Sequence, residues 1–464
     1  MVGAEAGPGV GPRQARVNFN GRDRRGFLDH LPTEKGPGRH PPLSLSWLVW
    51  GLAALLYLLG FYQRVAPAVL TDELMADFRI GGTGLGHLSA LYLYAYMAMQ
   101  IPTGLLADSW GPRKVLFWGA LLAAGGGTLF SLSGSFFWAG LGRFVYGGAV
   151  AVAFVVALKL AVHWFPPRWY SLAAGLGLIC GVFGAVTAGV PLRLAVDAFG
   201  WRPAMLVTSL ICLPLAAAVW ILVRDDPSER GYLSRLDIPD RAGKPRAGAG
   251  PLAGLKEVFS FRNSWLIFFS PGALAGAVLS FSGLWGTPFL KAKFGLTTAQ
   301  AAVFCSIYLI CWALPGPLAG LISDRINRRK PVYLSGYVIT TLAWTGMIYL
   351  PDQSLPVFGV LMVTAGLASG TLPLSFPFAK ESVPLHLAGS SAGVVNMGVM
   401  IGPTILQPAI GWVLDQRWTG GLVNGARIYD PAAYKAAFSL ILVWLVAACI
   451  LVALTKETNC RQRG

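Results

Sequence analysis

The chain has 464 residues, 55% hydrophobic and only 12% charged, with a mean hydropathy of +0.57 and a formal net charge of +16. A soluble chain carries about 25% charged residues, so this composition excludes an ordinary water-soluble enzyme and points to an all-α polytopic membrane protein. Apolar runs of about twenty residues recur, each long enough to cross a hydrocarbon core about 30 Å thick. Many of the 57 glycines fall inside those runs, where small residues let membrane helices pack closely.

Residues 1–45 are rich in Gly, Pro and Arg, show neither an apolar stretch nor a signal peptide, and are expected to form a disordered cytoplasmic tail. A first six-helix bundle is predicted over 46–223, with spans at 47–70, 85–107, 115–132, 136–163, 171–192 and 203–223. The polar segment 224–263, containing DDPSER and RAGKPRAGAG, reads as a cytoplasmic linker, and its end, LKEVFSFRN, as a short interfacial helix. The second bundle, 264–455, has spans at 264–290, 298–322, 332–350, 357–378, 387–413 and 436–454, followed by a cytoplasmic tail, 456–464. The expected fold is twelve transmembrane helices in two pseudo-symmetric six-helix bundles.

With the N-terminus inside, most of the 37 Lys and Arg fall in the tails, the linker and the short turns on the cytoplasmic side. Positive charge is retained inside, so both termini are expected in the cytoplasm. The expected location is a bacterial inner (plasma) membrane. The net charge then faces anionic lipid headgroups, and no nucleic-acid partner is expected. A monomer in contact with membrane lipids is the expected state. Five cysteines lie in apolar runs and Cys460 lies in the tail, without metal-ligand spacing, so they read as small buried hydrophobes.

One motif occurs twice. GLLADSWGPRK spans 104–114 and GLISDRINRRK spans 320–330, each in a cytoplasmic turn after the second helix of its half. YSLAAGLG and LAGSSAGVV, opening the fifth and eleventh spans, echo each other as well. Such repeats are expected where two similar bundles rock about a central site. Gly104 and Gly320 permit close helix approach, and Gly111 permits a tight turn. Asp108 can pair with Arg113 or accept from the N-terminal amides of a helix in the other half. Together with Lys114, Asp324 and Arg328, these residues form the expected gating set. A merely topogenic turn would not need the second copy.

On these residues the chain beyond residue 45 resembles the major facilitator superfamily. GLLADSWGPRK matches its loop motif G-x-L-a-D-r-x-G-x-R-K with Ser109 at the usual Arg, and GLISDRINRRK matches with Asn327 in place of Gly. RFVYGGAVA, from Arg143, resembles the fourth-helix motif R-x-x-x-G, and GWR at 200–202 is a familiar entry to the sixth helix. The resemblance implies transport by alternating access, with the first and fourth helices lining the cavity. The fifth helix lacks the Gly-Pro and Gly-Gly pattern of drug/proton antiporters, which argues against a drug-efflux carrier.

An ionisable residue at membrane depth is a functional candidate. Arg64 and Arg143 are predicted at matched depth, about 9 Å to the outer side of the midplane, where two guanidinium forks suit a carboxylate or phosphate. The alternative keeps Arg143 structural and lets Arg64 reach the outer surface. Lys159 is expected to snorkel. No Asp or Glu lies near the middle of any span. Tyr92 and Tyr96 share a helix face, as do Tyr308 and Trp312, and Asn396 and Gln407 are polar within the eleventh span. Trp285 reads as an interfacial anchor. Arg64, Arg143, Tyr92, Tyr96, Tyr308 and Asn396 form the expected substrate site.

The five histidines are scattered, and no HExxH, GxSxG or GxxxxGK[ST] motif occurs. Neither enzymatic activity, cofactor nor metal is expected. The expected function is a secondary active or facilitative transporter for a small organic anion or zwitterion: a carboxylate, amino acid, short peptide or sugar acid. The alternative is an efflux carrier for amphipathic compounds.

Overall fold

The computed structural model describes residues 39–234 and 256–462. The predicted tail up to residue 38 and the central part of the linker lie outside the described residues. Among the described residues, six membrane helices precede the linker: α1 (Leu43–Val69), α2 (Gly82–Ala98 and Gln100–Ser109), α3 (Pro112–Leu132), α4 (Phe136–Trp164), α5 (Pro167–Phe199) and α6 (Trp201–Leu222). Six follow it: α7 (Arg262–Phe294), α8 (Thr298–Arg325), α9 (Lys330–Tyr349), α10 (Leu355–Glu381), α11 (Leu385–Gln416) and α12 (Pro431–Ala453). Ten are long and apolar enough to span by themselves. The others have visible reasons: α2 is interrupted at Met99, and α9 carries Tyr333, Ser335, Tyr337, Thr340 and Thr341. This is an integral membrane protein with an all-α fold.

One face of the bundle carries the short helix Thr71–Phe78 and a hairpin of β1 (Leu422–Val423) and β2 (Ala426–Arg427). The opposite face carries 224–234 and 455–462. They are called the hairpin face and the tail face below. Several predicted ends move. Helix α1 starts at Leu43, inside the predicted tail. Helix α5 runs seven residues past its predicted end at 192, because Arg193 is neutralised by Asp197 one turn on and by Glu73. The predicted interfacial helix is reduced to a helical turn at 256–258, with Val258 buried against Val383 and Leu387.

Pseudo-symmetry extends to helix capping. Helix α3 begins after Gly111 (φ 86°), a backbone conformation natural only to glycine, and the Asp225 carboxylate accepts from Arg113 N at 2.7 Å. Asp225 follows the sixth helix. Glu457 follows the twelfth, and its two oxygens accept from Arg329 N and Lys330 N at 2.8 and 3.0 Å at the start of α9. The segment after each bundle thus caps the third helix of that bundle.

The bundles meet along α2 with α11 and α5 with α8, and at the hairpin-face ends of α1 and α7. Trp285, expected as an interfacial anchor, is instead fully buried in the π-turn Phe281–Trp285 of α7 and donates to the Gln407 carbonyl at 2.9 Å. Among the described residues, cross-bundle hydrogen bonds cluster at the hairpin face, with one more, Asn396 to Gln100, deeper in. Among the described residues, none joins the bundles at the tail face.

Candidate functional site

The expected site residues of the first bundle sit on α1, α2 and α4. On α4, Arg143 and Gly147 stand one turn apart. A Cβ at Gly147 would lie 2.1 Å from the Tyr92 carbonyl, so only glycine lets α4 abut α2 here. That approach delivers the Arg143 side chain onto main-chain carbonyls: Gln63 O at 2.6 Å, Leu88 O at 3.4 Å and Ser89 O at 3.5 Å. Arg143 is 2% exposed and its fork is occupied by protein. It ties α1, α2 and α4 together.

Arg64 is the next residue after Gln63 and has a different environment. Its guanidinium carbon lies 4.2 Å from the Phe61 ring centroid, 4.5 Å from Tyr96 and 5.5 Å from Tyr92. Its Nε is buried without a hydrogen-bond partner. Aromatic faces offset part of the cost of burying the cation, about 0.5–2 kcal/mol per contact, and the Tyr96 and Tyr92 hydroxyls are within hydrogen-bonding reach of the fork. Among the described residues no carboxylate pairs with it. The Arg64 Nε–H thus remains an unused donor. Both arginines lie against the Tyr92 ring, with Arg143 at 5.3 Å.

Tyr92 and Tyr96 stack at 6.2 Å, and the Tyr92 hydroxyl is committed to Gly60 O at 2.9 Å, so Tyr92 presents a ring rather than a donor. One turn beyond Tyr96 stands Gln100, which bonds Tyr96 O at 3.3 Å and accepts from Asn396 of the other bundle at 2.5 Å. Asn396 lies about 16 Å along α11 from its start. Gln100 escaped notice in the sequence, although the spacing Tyr92, Tyr96, Gln100 marks one helix face. Tyr308 is fully buried within the second bundle, accepts from Trp344 Nε1 at 3.0 Å and packs on Phe281. It faces the core of its own half. Arg64, Arg143, Tyr92 and Tyr96 thus lie together in the first bundle and Asn396 reaches them through Gln100, whereas Tyr308 lies apart in the second bundle.

The gating set is also re-sorted. Asp108, 78% exposed, pairs with Lys159 of α4 at 2.8 Å instead of Arg113. Lys159 also donates to Ala107 O, so it is held in place where snorkelling was expected. Arg113 turns to the Trp220 carbonyl and ring. Lys114 is exposed. In the second copy, Asp324 pairs with Arg329 at 2.6 Å, and Arg329 also holds Glu381 at 2.8 Å, whereas Arg328 is exposed. The neighbouring arginine takes the expected role because α8 ends in a turn with Asn327 at φ 51°. Gly104 and Gly320 have nothing within 4 Å of a built Cβ, so the close helix approach expected of them is absent in this conformation. Among the described residues no group of three His, Cys, Asp or Glu is placed to hold a metal.

Twelve helices in two bundles with a doubled turn motif are the architecture of a membrane transporter. The family model of the Major Facilitator Superfamily matches residues 49–405 and 274–459, and the chain belongs to that superfamily. The probable sulfoacetate transporter SauU of Cupriavidus necator is 25% identical over 386 residues, 80% of this chain and 87% of that protein. The probable galactarate/D-glucarate transporter GarP of Escherichia coli is 22% identical over 415 residues, 82% and 90% of the two chains. Among solved structures, a bacterial homologue of the human lysosomal transporter Spinster, inward-facing and unoccupied, aligns with a TM-score of 0.72. It shares 18% identity over 89% of this chain and 97% of that one, which is a likeness of fold.

Proposed function

We propose that the protein carries a small organic anion or zwitterion, such as a carboxylate, amino acid, short peptide or sugar acid, across the membrane by alternating access. The observation that carries this reading is Arg64: a buried cation in an aromatic box, with an unpartnered Nε and no carboxylate beside it. Leaving an arginine unneutralised at membrane depth costs about 2.5–3.5 kcal/mol on insertion scales, which an arriving anion offsets. The two bacterial relatives, whose names specify sulfoacetate and galactarate or D-glucarate, support an anionic cargo. The Gln100–Asn396 amide pair supplies hydrogen-bonding groups for the uncharged part of such a molecule.

The tail face is the cytoplasmic one on the charge asymmetry of the sequence, and the cross-bundle bonds at the hairpin face support an inward-open reading of this conformation. The test is a thermal-shift screen of the purified protein against carboxylates, sulfonates, amino acids, dipeptides and amphipathic cations, followed by counterflow in proteoliposomes. Ligands of the folded state raise its apparent stability. Stabilisation and counterflow by one anionic class are expected. A response confined to amphipathic cations would replace this reading with the efflux alternative.

A further inference from the structure

Helix α2 begins without a cap of its own. Its N-cap residue is Gly81, which has no side chain to accept from the first-turn amides. Those amides are satisfied from the other bundle. Asp415, in the last turn of α11, accepts from Gly82 N and Thr83 N, each at 2.8 Å, and from the Thr83 hydroxyl at 2.7 Å. The same carboxylate is steadied on its own side by the Tyr429 hydroxyl at 2.6 Å and by Arg427 at 3.0 Å. Tyr429 lies just beyond the β-hairpin and also accepts from Gly82 N at 2.8 Å.

The backbone is shaped for this contact. A Cβ at Gly81 would lie 2.6 Å from Asp415 Oδ1, and one at Gly411 would lie 2.1 Å from the Gly82 carbonyl. Glycine at both positions lets α11 close on the start of α2. The other cross-bundle pair on this face, Lys291 with Asp72, is between partly exposed side chains, and such pairs contribute little. Asp415 carries most of the polar closure.

We propose that Asp415 is a gating residue: a helix cap supplied in trans from α11 to α2, which holds the bundles together at the hairpin face and releases when they part there. The proposal rests on the alternating-access reading. Helices α2 and α11 are neighbours across the two bundles, and each carries an aspartate at its far end, Asp108 at the tail face and Asp415 at the hairpin face. In this conformation the two are in opposite states. Asp415 is engaged with the other bundle at 18% exposure, whereas Asp108 is 78% exposed and bonded only within its own bundle. Opening toward the hairpin face requires the three bonds to α2 to break, and Thr83, Tyr429 and Arg427 are the positioning residues that set how firmly they hold.

Hydrogen–deuterium exchange on the full chain in lipid nanodiscs tests this without knowledge of the substrate. Asp415→Asn keeps the shape but turns one acceptor into a donor facing the α2 amides. Exchange at 82–86 and 62–69 is expected to rise about tenfold, while exchange at 104–109 and 388–396 falls as the tail-face ends approach each other. Thr83→Val, which removes one donor and leaves the backbone intact, is expected to shift both regions in the same directions by less. A mere loss of stability would raise exchange at both faces. That result, or unchanged exchange at 82–86 in both variants, overturns the proposal. Neither outcome depends on whether the cargo is an anion, so failure here is distinguishable from failure of the substrate assignment.

Discussion

Arg143 Nη1 lies 2.6 Å from the main-chain oxygen of Gln63, the residue immediately before Arg64. Two arginines that look equivalent in the sequence are therefore a brace and the group it positions. Arg143→Gln strands the buried carbonyl of Gln63, whose helix partner four residues on is Pro67 and has no N–H, and a buried group left unpaired costs about 1–3 kcal/mol. The variant is expected to unfold at a markedly lower temperature in detergent, whereas Arg64→Gln, which strands no main-chain carbonyl, should unfold near the wild-type temperature. Equal melting temperatures for Arg143→Gln and wild type would show that the brace does not hold the bundle.

Arg64→Gln is expected to abolish binding and counterflow of an anionic cargo. Arg64→Lys should restore them only in part, because an ammonium cannot reproduce the planar fork or its stacking on Tyr96. Binding to the two purified variants, measured by calorimetry with the anion found in the screen, checks this. Wild-type affinity in Arg64→Gln would remove the anion site from this position.

Much of this was legible in the sequence, and the exceptions share a cause. Hydrophobic runs, the paired turn motifs and R-x-x-x-G are local patterns, and they located the helices, the turns and Arg143. Tyr308 looked equivalent to Tyr92 because each sits four residues from a second aromatic. Which side of a membrane helix faces the other bundle depends on neighbours far away in the chain, here Trp344. Asp415 lies beyond the predicted end of the eleventh span at 413. The hydropathy of the side chain says nothing of the uncapped amides of α2 that receive it, which lie 332 and 333 residues earlier. The end of α5 was misjudged for a related reason. Arg193 and Asp197 look like loop charges until Glu73 is placed beside them.

Acid should loosen the start of the linker. Burial raises the Asp226 carboxyl, but hydrogen bonds from Ser228, His163 and Ser234 outweigh it and hold the group at about 2, below its ordinary 3.8. A depressed folded-state value means that stability is fully present above the ordinary value and is lost as pH falls toward 2. The melting temperature of the wild type should therefore fall between about pH 4 and pH 2 with a component that Asp226→Asn lacks. Parallel pH profiles for the two proteins would exclude the contribution.

Orientation is checked with single cysteines in a background freed of the six native ones. Asn424, at the hairpin tip, and Ser260, on the tail face, are both exposed. Impermeant maleimide should label Asn424→Cys in intact cells and Ser260→Cys only after permeabilisation. The reverse pattern would invert the membrane orientation without disturbing the geometry of the site.

The last prediction concerns Asp108. Its bond to Lys159 is an exposed ion pair, worth about 0–1 kcal/mol, so its removal should leave folding and cargo affinity nearly unchanged. The gating role proposed for it belongs to the other conformation, in which the tail-face ends close and the carboxylate at the end of α2 can meet the first-turn amides of α11. Coupling energies of that kind change populations by about fivefold or more. Asp108→Asn is therefore expected to lower maximal turnover by about that factor in proteoliposomes, with little change in the concentration that half-saturates transport. Asp324→Asn should act in the same direction but more weakly, since Arg329 keeps its second partner, Glu381, when Asp324 is neutralised. Wild-type turnover in Asp108→Asn would confine that aspartate to a passive turn, whereas a loss of affinity at full turnover would assign it to the binding site instead.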